Sequence, residues 1–105
     1  MKFITPSELM KEKNRFLIVD IRSPQAFEST GIKGSVNIDV YDDIHDGNLE
    51  LVSQKLKKLP KGKTIVTVCN AGRTAVYASM ELEKMGYESI VLEDGIGGWN
   101  SLNEK

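Results

Sequence analysis

Short continuous runs of apolar residues alternate along the chain with segments in which apolar residues recur every three or four positions. A continuous apolar run of this length is typical of a strand buried on both faces of a parallel sheet. The strongest run, Thr64–Val68, is rich in β-branched residues, which favour strands. The strands that this pattern predicts are 16–19, 36–38, 64–68 and 89–92.

Helices are predicted in the segments between these strands. Thr5 can cap the first helix, because Pro6 then takes its first position and Glu8 lies three residues on, as in a capping box. Apolar residues spaced three and four apart predict an amphipathic helix over 49–59. The polar segment Asp39–Asn48 is predicted to be a loop. The predicted helices are 5–13, a short one at 23–31, 49–59, 76–85 and a short one around Trp99 and Leu102.

The alternation of strands and helices predicts an α/β domain with a largely parallel sheet. With 105 residues, of which 40% are hydrophobic, the chain has the size and composition of one modest core. It contains no internal repeat, low-complexity tract or linker rich in Pro, Gly and Ser. We therefore expect residues 1–105 to form a single domain.

The composition excludes several classes of function. Lys and Arg number 14 against 15 Asp and Glu, so the net charge of −1 predicts no attraction to nucleic acid or to an anionic membrane. One cysteine is too few for an internal disulfide or a multi-cysteine zinc site. No apolar run approaches the roughly 20 residues of a membrane helix, and Pro6 and Glu8 interrupt any signal-peptide core. We expect a cytoplasmic protein that uses no cofactor.

The loop after the strongest strand carries the candidate chemistry. Residues 69–74 read Cys-Asn-Ala-Gly-Arg-Thr and lead directly into a predicted helix. A tight strand-to-helix loop of this kind turns backbone N–H groups inward and forms an anion-binding nest, to which the helix N-terminus adds positive charge. A lone cysteine is most often a small buried residue. Three features favour instead a reactive thiolate at Cys69: Gly72, which can take the positive φ that such a loop needs, Arg73, and the start of a helix.

Arg73 supports the same interpretation. A cation in the first turn of a helix is mildly unfavourable against the helix dipole. Its alternative role is that of a solvated surface side chain. Its position beside the candidate nucleophile favours contact with an anion.

Four motifs in the chain resemble those of the single-domain rhodanese family, and together with the segments between them they cover nearly the whole sequence. They are Asp20-Ile21-Arg22 after a buried strand, the segment 31–38, the segment 69–74 and the segment 92–99. The resemblance implies a five-stranded, mainly parallel sheet flanked by helices on both faces. It also implies a sulfurtransferase that carries sulfur as a persulfide on a cysteine, here Cys69.

In this reading Cys69 is the catalytic nucleophile. The residues that bind the substrate or the persulfide are Asn70, Ala71, Gly72, Arg73 and Thr74. The donor would be thiosulfate, polysulfide or mercaptopyruvate, and the acceptor a thiol, cyanide or a sulfur-relay protein. The sequence does not distinguish among these donors and acceptors, or between a free-standing enzyme and a relay carrier. The oligomeric state is equally open.

Loop length separates this function from the nearest enzymatic alternative. The related dual-specificity phosphatases and arsenate reductases have an arginine six positions after the cysteine, whereas position 75 here is Ala and the arginine is Arg73. The spacing favours sulfur transfer over phosphoryl transfer. A third alternative, a non-catalytic interaction module of the same fold, is disfavoured because such modules commonly lack the cysteine.

Weaker signals have structural interpretations. Asp20 and Arg22 end a strand near the site, and we expect a charge pair that ties the strand to neighbouring loops more than a substrate contact. We expect Trp99 to be a core residue. The acidic cluster, which has no defined spacing of metal ligands, predicts a solvated loop and no metal site. Its residues are Asp39, Asp42, Asp43, His45 and Asp46.

The chain departs from the family pattern at two places. Gly31 occupies a position where the family often has histidine, and Asp94-Gly95 stands where two glycines are common. We expect the missing histidine to affect packing more than catalysis.

Overall fold

The computed structural model describes residues 1–103. The strands in this part of the chain are β1 (Phe3–Ile4), β2 (Phe16–Asp20), β3 (Val36–Asn37), β4 (Thr64–Val68) and β5 (Ser89–Leu92). The α-helices are α1 (Pro6–Glu12), α2 (Pro24–Thr30), α3 (Tyr41–His45), α4 (Leu49–Leu56), α5 (Thr74–Lys84) and α6 (Gly95–Asn103). A 3₁₀ turn at Lys13–Arg15 joins α1 to β2. No helix among residues 1–103 is both long enough and apolar enough to cross a membrane.

The five strands form one sheet in the order β1-β5-β4-β2-β3, and all the pairings among residues 1–103 are parallel. β4 lies in the centre, with Val68 opposite Asp20 of β2 and Ile65 opposite Ser89 of β5. This confirms the predicted α/β class and the five-stranded sheet. Because the strands run in one direction, the residues that follow β2, β4 and β5 meet at the same edge of the sheet.

Helices cover both faces of the sheet, as the resemblance implied. Alternate residues of a strand point to opposite faces, so Ile65 joins the cluster that includes α4 and α5, while Val66 joins the cluster that includes α1 and α6. Trp99 of α6 is buried in the second cluster, which confirms its predicted place in the core. Continuous apolar runs arise because each central strand is covered on both sides.

Two elements were not predicted. β1 is a two-residue edge strand whose Phe3 is half exposed, so it has no hydrophobic pattern, and only its pairing with β5 defines it. α3 lies inside the segment that the sequence predicts as a solvated loop. That prediction is wrong for Tyr41–His45, because Val40 is fully buried and holds the start of a helix against the core.

Some boundaries differ from the predicted ones by a few residues. α4 ends at Leu56 instead of residue 59, although Leu59 remains buried. α5 begins at Thr74, immediately after the cysteine loop, instead of at residue 76. The C-terminal helix starts at Gly95, well before Trp99.

A steric constraint favours glycine at position 31. A Cβ atom there would lie 2.5 Å from the carbonyl oxygen of Phe27 and 2.8 Å from its ring. The Phe27 ring thus occupies the space that a larger side chain would need.

The predicted capping box opens α1. The Thr5 hydroxyl accepts from the N–H of Glu8 at 3.1 Å, and the Glu8 carboxylate accepts from the N–H of Thr5 at 3.0 Å. The backbone hydrogen bond from Thr5, followed by the bond from its hydroxyl, lowers the pKa of Glu8 from the usual 4.5. The ionised carboxylate therefore stabilises the folded chain more than the neutral acid does.

We predict that Glu8→Ala lowers the free energy of unfolding near neutral pH and that this loss shrinks in acid. Because the pKa of Glu8 is lower in the folded chain, its contribution is fully present above the unfolded value and disappears as the pH falls through the folded value. Urea unfolding of both proteins across this pH range measures the effect. Glu28→Ala on α2 is the control, since it removes an exposed carboxylate that makes no hydrogen bond or ion pair among residues 1–103, and it should change the free energy of unfolding little. A loss that is equal at all pH values would contradict the prediction.

Candidate active site

Cys69 follows the central strand β4 and begins the loop that leads into α5. The carbonyl oxygens of Cys69 and Asn70 accept hydrogen bonds from the N–H groups of Ile96 and Gly97, at 2.9 and 3.1 Å. The first turn of α6 thus satisfies the two loop carbonyls. Because these two carbonyls are hydrogen-bonded to α6, the N–H groups of the loop can face another partner.

The sulfur atom of Cys69 is enclosed by backbone donors. Its Sγ accepts from the N–H of Gly72 at 3.1 Å and from the N–H of Ala75 at 3.3 Å. Ala75 lies in the first turn of α5, so the sulfur faces the positive end of an 11-residue helix. Gly72 takes a φ of +87°, which confirms the positive φ expected of it. Ala75 was not among the predicted site residues, since it follows the motif and its side chain carries no chemistry.

A cavity of about 210 Å³ opens on the sulfur. The Arg73 side chain is exposed at its edge and makes no hydrogen bond or ion pair within residues 1–103. The N–H groups of Ala71, Arg73 and Thr74 likewise have no partner in the described part of the chain. A cation and several amide donors are therefore available to an anion beside Cys69. The other lining residues are Tyr41, His45 and Asn70.

Two of these lining residues come from α3 and were missed as site residues by the sequence analysis. The rings of Tyr41 and His45 lie 4.5 Å apart, and Nε2 of His45 is 3.1 Å from Oγ1 of Thr74. The signal was present in the spacing: Tyr41 and His45 are four residues apart on one helical face, and Val40 and Ile44 are four apart on the face that packs on the core.

Asp20 and Arg22 form a buried ion pair that reaches the cysteine loop. The Arg22 guanidinium binds both carboxylate oxygens of Asp20, at 2.8 and 3.0 Å. Its Nη1 donates to the Asn70 side-chain oxygen and to the Thr30 hydroxyl, each at 3.0 Å. Asp20 is 1% and Arg22 4% exposed. The pair thus holds the side chain of Asn70, the second residue of the loop, and lies beneath the loop instead of in the cavity.

The acidic residues around α3 are engaged in local contacts. Asp43 pairs with Lys55 of α4 at 2.7 Å, and the same ammonium donates to the carbonyl of Asp39 at 3.0 Å. Among residues 1–103 there is no group of three or more His, Cys, Asp and Glu side chains arranged to hold a metal ion. His45 is exposed, as the prediction of a solvated segment implies, but it also contacts Thr74 of the cysteine loop, which the sequence analysis did not predict.

The turn at Asp94-Gly95 supports the cysteine loop from the end of β5. Both residues have positive φ, at +60° and +55°. A Cβ atom on Gly95 would overlap the carbonyl oxygen of Cys69 and lie 2.7 Å from the carbonyl carbon of Asn70. Only glycine allows the backbone of α6 to approach the loop this closely. Asp94, which replaces a common glycine of the family pattern, adopts the left-handed conformation that Asp tolerates better than most residues.

The chain matches the family model of the rhodanese-like domain over residues 5–102. It is 32% identical over 82 residues to the thiosulfate sulfurtransferase GlpE of Pseudomonas syringae pv. syringae, an alignment that covers 75% of this chain and 66% of GlpE. It is 26% identical over 102 residues to the adenylyltransferase and sulfurtransferase UBA4 of Lodderomyces elongisporus, covering 93% of this chain. The chain thus spans just under two thirds of GlpE and 22% of UBA4.

Solved structures agree with the fold. The rhodanese-related protein of Thermoplasma volcanium superposes with a TM-score of 0.83, over 97% of this chain and 93% of that protein, at 22% sequence identity. At this identity the likeness establishes the architecture, and the chemistry has to be argued from the residues of the loop.

We predict that Gly95→Ala destabilises the protein far more than Gly47→Ala. Both glycines have positive φ, at +55° and +73°, but a Cβ on Gly47 has open space around it. The control should cost about 1 kcal/mol for the conformation alone, and Gly95→Ala about 3 kcal/mol or more, since overlap with the Cys69 carbonyl adds to that cost. Urea unfolding measures both. Equal losses would mean that the contact with the loop is unimportant.

Proposed function

Because the chain belongs to the rhodanese-like domain family, we propose that it is a sulfurtransferase that moves a sulfane sulfur from a donor to a thiophilic acceptor through a persulfide on Cys69. The single observation that carries this proposal is the environment of the Cys69 sulfur. Two backbone N–H groups at a helix N-terminus donate to Sγ, and Arg73, without a partner within residues 1–103, lies at the edge of the cavity above it.

The first step forms the persulfide. The Cys69 thiolate attacks the outer sulfur of thiosulfate, the sulfur–sulfur bond of thiosulfate breaks, and sulfite leaves with the electron pair of that bond. The product is Cys69–S–S⁻, whose negative charge equals that of the thiolate it replaces. The N–H groups of Gly72 and Ala75 already hold Sγ. The N–H groups of Ala71, Arg73 and Thr74, which are unpaired within residues 1–103, would stabilise the outer sulfur.

The second step returns the enzyme to its starting state. A nucleophile, cyanide or a thiolate, attacks the outer sulfur of the persulfide, and Cys69 leaves as a thiolate. With cyanide the product is thiocyanate. The two half-reactions share one covalent intermediate and predict ping-pong kinetics. No metal or cofactor takes part in either step.

Arg73 would bind the sulfonate end of an anionic donor. Its guanidinium is exposed, lines the cavity and has no competing carboxylate partner within residues 1–103. A planar guanidinium presents donors in a geometry that matches two oxygens of a sulfonate. Asn70 contributes less directly, since its side-chain oxygen is occupied by Arg22.

The position that an arginine would need for phosphoryl transfer is filled by Ala75. This residue is fully buried, and its N–H is already committed to Sγ. The loop therefore has the right size for a sulfur atom and lacks the arginine of the related phosphatases and arsenate reductases. This arrangement supports sulfur transfer over those activities.

The chemistry of the loop indicates the chemical class of the natural donor and acceptor and does not identify the individual molecules. Thiosulfate, polysulfide, mercaptopyruvate and a protein persulfide each present an electrophilic sulfur. UBA4, which contains a similar region within a much longer chain, is named for a sulfurtransferase activity. We include a relay role, in which a protein supplies or accepts the sulfur, within the proposal, because the persulfide on Cys69 is common to both roles.

We predict that brief exposure to thiosulfate adds one sulfur atom to the intact protein, and that cyanide then removes it as thiocyanate. Cys69 is the single cysteine, so the adduct has one nucleophilic site. Intact-mass measurement before and after cyanide is the test. Cys69→Ser, which keeps the size of the side chain, is the matched control and should gain no sulfur.

Two outcomes would overturn the proposal in different ways. If the native chain gains no sulfur from thiosulfate, polysulfide, mercaptopyruvate or a protein persulfide, Cys69 carries no persulfide, and a binding role replaces the proposed one. If Cys69→Ser gains the same mass as the native chain, the adduct is not a persulfide on Cys69.

We predict that Arg73→Ala raises KM for thiosulfate about tenfold, because one charge-assisted hydrogen bond to the sulfonate is lost, and leaves the rate constant for alkylation of Cys69 by the neutral reagent iodoacetamide nearly unchanged. Steady-state kinetics with thiosulfate and alkylation rates on the same proteins measure the difference. Arg73→Lys keeps the charge and should recover part of the loss. An equal effect on both reactions would show that Arg73 supports the loop and does not bind the sulfonate.

A further inference from the structure

A histidine contacts the cysteine loop from α3. Nε2 of His45 lies 3.1 Å from Oγ1 of Thr74, the first residue of α5. Thr74 is 7% exposed, whereas His45 is exposed to solvent. Both residues line the cavity above Cys69. A group that solvent can protonate is therefore in direct contact with a buried hydroxyl beside the nucleophile.

The direction of this hydrogen bond depends on the protons of His45. A neutral imidazole without a proton on Nε2 accepts the hydrogen of the Thr74 hydroxyl, and the hydroxyl then offers only lone pairs to the cavity. An imidazolium has hydrogen on both ring nitrogens, so Nε2 can only donate to Oγ1. The hydroxyl hydrogen of Thr74 is then free to rotate towards an anion. Where the neutral ring carries its proton on Nδ1, protonation of His45 thus makes the Thr74 hydroxyl available as a donor to the cavity and adds positive charge at its edge.

Several charged side chains lie on or next to α3 and on the helices packed against it. Histidine is the side chain whose ordinary charge change falls between about pH 5 and 8, whereas carboxylates, lysine and arginine ordinarily keep their charges there. Asp43 is paired with Lys55. The charged groups are Asp42 and Asp43 on α3, Asp46 immediately after it, Glu50 and Lys55 on α4, and Arg73, Glu81, Glu83 and Lys84 at or on α5.

We infer that His45 is a positioning residue that selects for anionic donors as the pH falls, by orienting the Thr74 hydroxyl towards the bound anion. The Tyr41 ring, tilted by 40° with its centroid 4.5 Å from that of the imidazole, packs beside His45. The inference deepens the proposed function and rests on it only in taking Cys69 as the nucleophile. The substrate class that follows is a small anionic sulfur donor that carries its charge next to the sulfur attacked.

The test compares an anionic with a neutral reagent at the same thiol. Iodoacetate, which is anionic, and iodoacetamide, which is neutral, both alkylate the Cys69 thiolate. The fraction of thiolate therefore cancels in the ratio of the iodoacetate to the iodoacetamide rate constant. This ratio measures how strongly the cavity favours a negatively charged reagent over a neutral one. We expect this ratio to rise about three- to tenfold between roughly pH 8 and 5.5 in the native chain, the size of one hydrogen bond gained by an anion. In His45→Gln the ratio should stay constant over this range.

Variants at Thr74 separate positioning from simple charge attraction. Thr74→Val removes the hydroxyl and keeps the shape of the side chain, and it should abolish most of the pH dependence, whereas Thr74→Ser should retain it. A ratio that does not change with pH in the native chain, or that changes equally in His45→Gln, overturns the inference. Full pH dependence in Thr74→Val overturns it as well, since His45 would then act through its charge alone. None of these measurements requires sulfur transfer, so failure of the proposed function would be seen separately.

Discussion

The two hydrogen bonds that the Cys69 sulfur accepts from the N–H groups of Gly72 and Ala75 are the constraint around which the rest of this protein is arranged. They require the chain to turn from the central strand into α5 within five residues, with positive φ at Gly72. They also give a buried sulfur two backbone donors. Under the proposed function this sulfur carries negative charge, whose burial costs free energy unless donors surround it, and the helix N-terminus and the loop amides supply such donors.

So short a loop keeps its shape because it is held from both sides. From β2, the buried Asp20–Arg22 pair binds the side chain of Asn70. From β5, the first turn of α6 donates N–H groups to the carbonyls of Cys69 and Asn70, at a distance that only glycine at position 95 permits. Both supports come from strands that flank β4 in the sheet. The parallel arrangement thus brings three separate parts of the sequence to one loop, and the donors stay in place before any substrate binds.

The sequence predicted the parts of this site that depend on local chemistry. The β-branched run before Cys69, the positive φ of Gly72 and the helix that follows are each encoded within a few residues, and the structure confirms them. The roles of Asn70, Ala71, Arg73 and Thr74 in binding remain part of the proposed function. The contribution of α3 could not be predicted with the same ease, because five residues without a capping side chain give a weak helical pattern. Long-range packing through Val40 stabilises that helix instead.

Local sequence by itself determined the α/β class, the parallel sheet and the candidate nucleophile, because apolar runs, helix caps and a cysteine at a strand end are read over short distances along the chain. Only the tertiary structure decided which distant groups reach that cysteine. Arg22 bonds to Asn70 across 48 residues, and His45 meets Thr74 across 29. Such contacts are fixed by the order of the strands and by the direction in which each helix crosses the sheet. No pattern within one segment specifies them, because both partners look like ordinary polar surface residues until the sheet places them side by side.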